Sequence, residues 1–299
     1  MTEARQNEKD DNPPVNIVTS DTVGGDKIGA DKVIGDKIGR DKIVYNITQT
    51  GPPPKPHLPY EPETVLIPAG PFLMGSNQDE PAESPQHQIE LPDFYIGRFP
   101  ITNEQFARFI WETDQTAPWP LLWDGNSPPE DRLNHPVTGV TWYEAFEYCQ
   151  WLSQQSGRTY TLPSEAQWEK AARTTDGRLY PWGNDWQDGR CHQGPDTAPV
   201  DAYPAQNEYG CYDLVGSARE WTSTIWGRLP NAPDGRYQYP WANDQREDQS
   251  APPSLRRIYR GGWADNPHDF RCSARDAFLP DKPGPKRHRH SFRVILLPT

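Results

Sequence analysis

Residues 256–294 read RRIYRGGWADNPHDFRCSARDAFLPDKPGPKRHRHSFRV, and what they are sets what the rest of the chain has to be. Strand-like segments at each end, RRIYRGGW and HSFRV, bracket an interior broken by Gly261, Gly262, Pro267, Pro280, Pro283 and Pro285. The stretch carries ten Lys/Arg and three His against four Asp, a formal +6 within a chain of net −12. Everything outside it therefore stands at −18. Opposed fields steer partners and penalise wrong ones, so a basic, aromatic surface on an acidic scaffold is expected to be a recognition surface. The plain alternative is a solvated cationic face with no partner.

The scaffold's composition points to long irregular segments pinned by large rings: 34 Pro, 23 Gly, 12 Trp and 13 Tyr in 299 residues, of which only 34% are apolar. Aromatic rings bury much area per residue, so a loop-rich domain can still be stable. No apolar run is long enough to span a bilayer and no charged-then-apolar leader opens the chain, so neither a membrane span nor a secretory signal is expected. Cys149, Cys191, Cys211 and Cys272 lack the spacing of a zinc site, and the expected compartment is cytoplasmic.

Residues 1–20 are polar and charged and are expected to form a disordered tail. Within 21–50, GDKIG, ADKVI, GDKIG and RDKIV repeat every five residues, with Ile28, Val33, Ile38 and Ile43 in register. That period fits neither a helix nor a strand, but a coil turning a corner every five residues would stack these side chains on one side. Four units bury too little alone. Residues 25–44 are therefore expected to associate with copies of themselves or with a signalling or effector partner; a solvated low-complexity linker is the alternative. Residues 51–61, GPPPKPHLPYE, form a Pro-rich linker to a domain over 62–299.

In that domain ETVLIPAGPFLMGS predicts a strand pair bent at Pro68 to Pro71, and DFYIGRFPIT a further strand. Thr102 can cap a helix with Phe106, Phe109 and Ile110 on its inner face. The spacing of Trp142, Ala145, Phe146, Cys149 and Leu152 predicts a second helix closed by Gly157, and Ser164 can cap a third. From Tyr180 onward little regular pattern shows until RRIYRGGW and HSFRVIL.

The segments LIPAGPFLMGS, FYIGRFPITNEQFARFI, HPVTGVTWYEAFEYCQWLS, LPSEAQWEKAAR, YPWGN, PVDAYPAQNEYGCYDLVGSAREWT, RRIYRGGW, RCSAR and SFRVIL resemble, in order, the formylglycine-generating enzyme (sulfatase-modifying factor) family over about residues 62–297. The resemblance implies an α+β fold, an elaborated C-type-lectin-like domain with a small twisted sheet, two flanking helices and extensive loops. Enzymes of that family oxidise a sulfatase cysteine to formylglycine with copper held by two cysteines just after an RGGS-type turn. Here the turn is Arg260-Gly261-Gly262-Trp263, and residues 263–270 hold no cysteine. Monovalent copper wants thiolates, so no copper and no catalytic residues are expected. A copper- or iron-dependent oxidase with an altered site is the rival reading.

Cys149 and Cys272 match family positions that can form a structural disulfide, and the resemblance implies that they lie close together whether or not oxidised. DLVGSAREW is similar to the family's structural calcium loop, with the Asp213 carboxylate, the Gly216 and Ala218 carbonyls and the Glu220 carboxylate as the ligands carried over. Ser217 and Arg219 stand where the pattern has Asn and an aromatic, so two outcomes are open: bound calcium, or an Arg that replaces it by pairing with Asp213 or Glu220.

The layout of 256–294 also resembles the diversified region of variable proteins of diversity-generating retroelements. Landmarks such as Gly261, Arg271, Arg275 and Arg293 alternate there with residues of no consistent chemistry. The resulting expectation is a non-catalytic, protein-binding protein. Its candidate ligand contacts are Trp263, Asp265, Asn266, His268, Asp269, Phe270, Asp276, Phe278, Lys286, Arg287, His288, Arg289 and His290.

Other chemistry is thin. His135 reads as structural, and helix-start charge with an ion pair to Arg173 explains Glu165 and Glu169 more cheaply than acid–base catalysis. No GxSxG, HExxH or phosphate-cradling loop is present. PKRHRH suits phosphate contacts, but the acidic remainder argues against nucleic acid.

Overall fold

A computed structural model describes residues 56, 58–118, 123–262, 267–283 and 289–297. The five-residue repeat lies outside the described residues, as do Trp263, Asp265, Asn266, Lys286, Arg287 and His288. Mixed helices and strands build the domain, in keeping with the α+β expectation. One antiparallel sheet runs in the order β1 (Thr64–Ile67), β4 (Phe94–Gly97), β10 (Ile295–Leu296), β5 (Tyr160–Thr161). A hairpin pairs β2 (Gly70–Met74) with β3 (His87–Leu91). A second four-stranded sheet is ordered β8 (Asp276–Phe278), β7 (Arg256–Arg260), β6 (Arg219–Gly227), β9 (His290–Ser291), with β6 and β9 parallel.

The 64–74 segment does form two strands, but they do not pair with each other: β1 joins β4 and β2 joins β3. Lys170 holds the corner between them by donating from Nζ to the Pro68 and Gly70 carbonyls at 2.6 and 2.9 Å.

Three helices follow their caps. Thr102, Thr141 and Ser164 each make a reciprocal capping box at the start of α1 (Asn103–Thr113), α2 (Trp142–Ser156) and α3 (Glu165–Arg173). Each such cap is worth about 1 kcal/mol, and Gly157 ends α2 in the left-handed region at φ 68°. Phe106, Phe109 and Ile110 of α1 and Trp142, Cys149 and Leu152 of α2 enter one aromatic core with Tyr148, Trp221, Tyr259 and Phe292. A second core, built on Trp168, Leu214, Phe270 and Cys272, packs α3 against the hairpin and the first sheet.

Strand β6 is the axis of the second sheet, and all but Arg219 of its residues are buried. Its polar side chains are spent internally: Glu220 on Arg293, Thr222 on the Ile258 carbonyl, Thr224 on Glu247. The result is a fixed plane from which residues 256–294 depart and to which they return.

Candidate recognition site

Of the eight described Lys and Arg in 256–294, six have buried side chains. Arg257 donates to the Ser223 and Asp248 carbonyls at 2.5 and 2.6 Å and lies 4.1 Å from the Trp142 ring. Burial pulls its basicity down to about 10. Arg260 bridges Glu165 at 2.6 Å and Glu169 at 2.7 Å and also donates to the Cys272 carbonyl. Arg271 forks onto Glu83 at 2.8 and 2.9 Å and meets Asp79 at 2.8 Å. Arg275 reaches the other oxygen of Glu165 at 2.6 Å and the Ala82 carbonyl at 2.9 Å. Arg293 holds Glu220 through two nitrogens at 2.6 and 2.7 Å. Arg289 donates to the carbonyls of Gly194, Asp196 and Ser217.

Six of the ten cationic side chains of the stretch are therefore interior, Arg260, Arg271, Arg275 and Arg293 matched by scaffold carboxylates and Arg257 and Arg289 by carbonyls, and the expected cationic face is corrected for these six. A buried carboxylate–guanidinium fork needs several ideal hydrogen bonds to offset desolvation, and these have them. Burial pushes the Glu169 carboxyl up, but Arg260, Arg173 and the Gly75 amide outweigh it and hold it below the usual range. The Glu169–Arg173 pair expected from helix spacing is present at 2.9 Å.

Three expected contact residues face inward. Phe270 has no exposed surface and packs on Trp186 at 5.5 Å between centroids; an apolar ring at that position serves the second core. His290 is fully buried between Trp221, Tyr259 and Phe278, and Arg289 is fixed by the carbonyls above. The sequence missed this because the same residue types that make interface hot spots also make aromatic cores. His268 points outward, 45% exposed, with Asp269 half-buried beside it. Asp276 is exposed and accepts from the Tyr259 hydroxyl at 2.7 Å, and Phe278 is half-buried.

The turn that launches the stretch needs its two glycines. Gly261 has φ +81°, and a Cβ there would stand 2.6 Å from the Leu214 carbonyl oxygen. A Cβ at Gly262 would collide with the Asp269 carbonyl.

No disulfide joins Cys149 and Cys272: both are free thiols, one in each core cluster. Cys191 and Cys211 are also free and buried. Burial pushes the thiols of Cys191, Cys211 and Cys272 up to about 12, and that of Cys149 higher still.

In the 213–220 loop, Glu220 is saturated by Arg293 and by the Trp168 indole at 2.8 Å. The arginine that pairs with it is Arg293; Arg219 instead meets Asp276 at 3.2 Å and the Tyr259 hydroxyl at 2.7 Å. Asp213 is buried in the left-handed region at φ 49°, and its Oδ2 has no hydrogen-bond partner. Burial pushes its carboxyl well above the usual range, a Ser217 hydrogen bond opposes this and the Glu220 charge adds to it.

His135 takes a structural contact, Nδ1 to the Thr197 hydroxyl at 2.9 Å. Among the described residues no cluster of three or more His, Cys, Asp or Glu could hold a metal, and no helix is long and apolar enough to cross a membrane.

A small sheet with a clamped, loop-bearing C-terminal excursion, flanked by two long helices, defines an elaborated C-type-lectin-like domain. The chain belongs to the sulfatase-modifying factor enzyme 1-like domain family, whose model matches residues 48–296. It is 32% identical over 248 residues to the serine/threonine-protein kinase pkn1 of Chlamydia caviae, covering 77% of this chain but only 37% of that protein. It is 29% identical to the inactive C-alpha-formylglycine-generating enzyme 2 of Mus musculus, over 56% of this chain and 70% of the relative. Treponema denticola variable protein 1 shares the fold with a TM-score of 0.61 and 20% identity, over 79% of this chain and 95% of the other.

Proposed function

We propose that the chain is a non-catalytic recognition protein that offers a protein ligand the outward residues of 256–294. His268, Asp269, Asp276 and Phe278 form the described part of that surface, and Trp263, Asp265, Asn266, Lys286, Arg287 and His288 complete it. One observation carries this reading: six basic side chains of the stretch are locked into the scaffold, while His268 and Asp276, which lie between them, stand exposed. A rigid frame keeps the ordering cost of binding low. Family membership alongside a relative named inactive, and the fold shared with a variable protein, support the same reading.

The rival is an oxidase of the formylglycine-generating type, and the burial of all four cysteines, with none of them in residues 263–270, speaks against it. Residues 25–44 would tie the domain to copies of itself or to a signalling partner, and the 213–220 loop would either take calcium at Asp213 or be neutralised by Arg293, which already holds Glu220. The test replaces Lys286 and Arg287 with Glu, leaving Arg289 alone because it is part of the frame. Capture of the partner from host lysate should be lost with the melting temperature unchanged; unchanged capture removes the surface from the proposal. Copper- or iron-dependent oxidation of a cysteine peptide by the wild-type chain would establish the rival.

A further inference from the structure

His268 stands at the outer end of a buried chain of ion pairs. It belongs to the short turn Pro267–Phe270, whose Phe270 ring enters the second core just before Arg271. The Arg271 side chain is 3% exposed; it forks onto Glu83, which is 2% exposed, and its Nη1 also meets Asp79 at 2.8 Å. The same guanidinium turns back on His268. Its Nε donates to the His268 carbonyl at 2.8 Å, and its Nη2 lies 3.4 Å from Nδ1 of the ring. Glu83 and Asp79 come from the segment after β2, where the Ser76 amide donates to the Glu83 carbonyl at 2.9 Å and the Ser76 hydroxyl to the Asp79 carboxylate at 2.6 Å. A carboxylate 188 residues away in sequence therefore orients the cation that faces the His268 ring.

A guanidinium carries only donors. Nδ1 of His268 can meet it only with a lone pair, so in the neutral ring the proton sits on Nε2. Nε2 lies 3.9 Å from Asp79 Oδ1, too far for a hydrogen bond, on a side chain that is 45% exposed. The ring thus turns an N–H donor, and not an acceptor, toward the surface. Its surroundings select among acceptors. Asp79 and Glu83 share the single charge of Arg271, and Asp269 follows His268 in the chain, so an anionic acceptor would be repelled. A neutral carbonyl oxygen meets no such penalty.

We propose that Arg271, oriented by Glu83 and Asp79, fixes His268 as its Nε2–H tautomer, and that this N–H is a specificity-determining donor which takes a neutral carbonyl oxygen of the partner in preference to a carboxylate. The inference rests on the ligand surface proposed above: unchanged capture on charge reversal at Lys286 and Arg287 removes that surface, whereas a wrong tautomer removes only the role of His268. Imidazole nitrogen NMR of the isotope-labelled full chain at mildly alkaline pH reads the tautomer, and His268→Gln identifies the signals by their loss. Nδ1 should show a lone pair and Nε2 a proton. Arg271→Lys, which keeps the charge and loses the fork, should move both signals toward the average of the two tautomers, and Glu83→Gln should move them the same way by less. The titrants are N-methylacetamide and acetate. At equal concentration the amide should displace the Nε2 signal more than acetate does, and Asp79→Asn should strengthen acetate binding about fivefold, the effect of removing one charge at about 4 Å in water. The proposal is overturned by a proton on Nδ1, by signals that stay in place in both Arg271→Lys and Glu83→Gln, by a larger wild-type response to acetate than to the amide, or by acetate binding unchanged in Asp79→Asn.

Discussion

Arg260→Met tests the frame most directly. The guanidinium has no exposed surface and bridges Glu165 and Glu169 at 2.6 and 2.7 Å. Its loss leaves Glu165 with Arg275 and Glu169 with Arg173, so neither carboxylate is stranded outright. One positive charge has still gone from a dry site, and the Cys272 carbonyl loses its donor. Breaking a buried pair from one side costs about 3–5 kcal/mol. A domain of this size loses about 2–4 °C per kcal/mol, so the melting temperature should fall by roughly 6–20 °C. Arg98→Met is the control, because its pair with Glu63 at 3.4 Å is solvent-exposed and is worth at most about 1 kcal/mol. Urea unfolding with and without about 1 M NaCl separates the two, since salt screens exposed pairs and spares buried ones. A loss for Arg260→Met below about 1 kcal/mol, or one that vanishes in salt, would refute the claim that these arginines are structural.

Calcium at the 213–220 loop should appear as a melting shift: at a hundredfold excess over Kd the gain is about 2.7 kcal/mol, abolished in Asp213→Asn. No shift on adding calcium or a chelator would mean that Arg293 alone neutralises the loop. Glu247 is hydrogen-bonded to Ser223 and to Thr224, the latter at 2.5 Å, and burial pushes its carboxyl above the ordinary 4.5, with those hydroxyls opposing. A folded-state value above the unfolded one adds stability at low pH that is lost as pH rises through the folded value. Wild type measured against Glu247→Gln should therefore lose ground as pH rises above about 4.5, and a difference that moves the other way refutes the assignment.

The starts of α1 and α3 were legible because Thr102 and Ser164 are local signals, each satisfied within three residues; Thr141 makes the same capping box at α2, which the sequence showed only through its apolar spacing and Gly157. Strand β6 was not, although it is the longest strand described. Buried on both faces, it shows no alternation, and Glu220, Thr222 and Thr224 read as loop residues until their distant partners are in place. The C-terminal stretch failed for the same reason. Arg260 finds Glu165 across 95 residues and Arg271 finds Glu83 across 188, separations that composition and net charge cannot convey. Charge counted along a sequence gives a surface field only when the ions face water.

The positions of the clamps decide where the stretch is free to change. Arg257 and Arg260 fix its first strand, Arg271 and Arg275 its middle, Arg289 and Arg293 its return. None of the six clamping arginines falls in the intervals 261–270 and 276–288. The proposed outward contacts all fall in these intervals, while the buried Arg289 and His290 fall outside them. Phe270 sits at the edge of the first, where its ring enters the core immediately before Arg271. Arginine suits such clamping better than an aliphatic side chain because a planar fork accepts one register only, whereas a greasy contact tolerates sliding. Among the described residues of these intervals His268 and Asp276 are exposed, whereas Phe270, Ala277 and Pro280 are buried and Phe278 packs on His290. The six arginines therefore pin the stretch at its start, middle and return, and a partner would meet the exposed residues between those points.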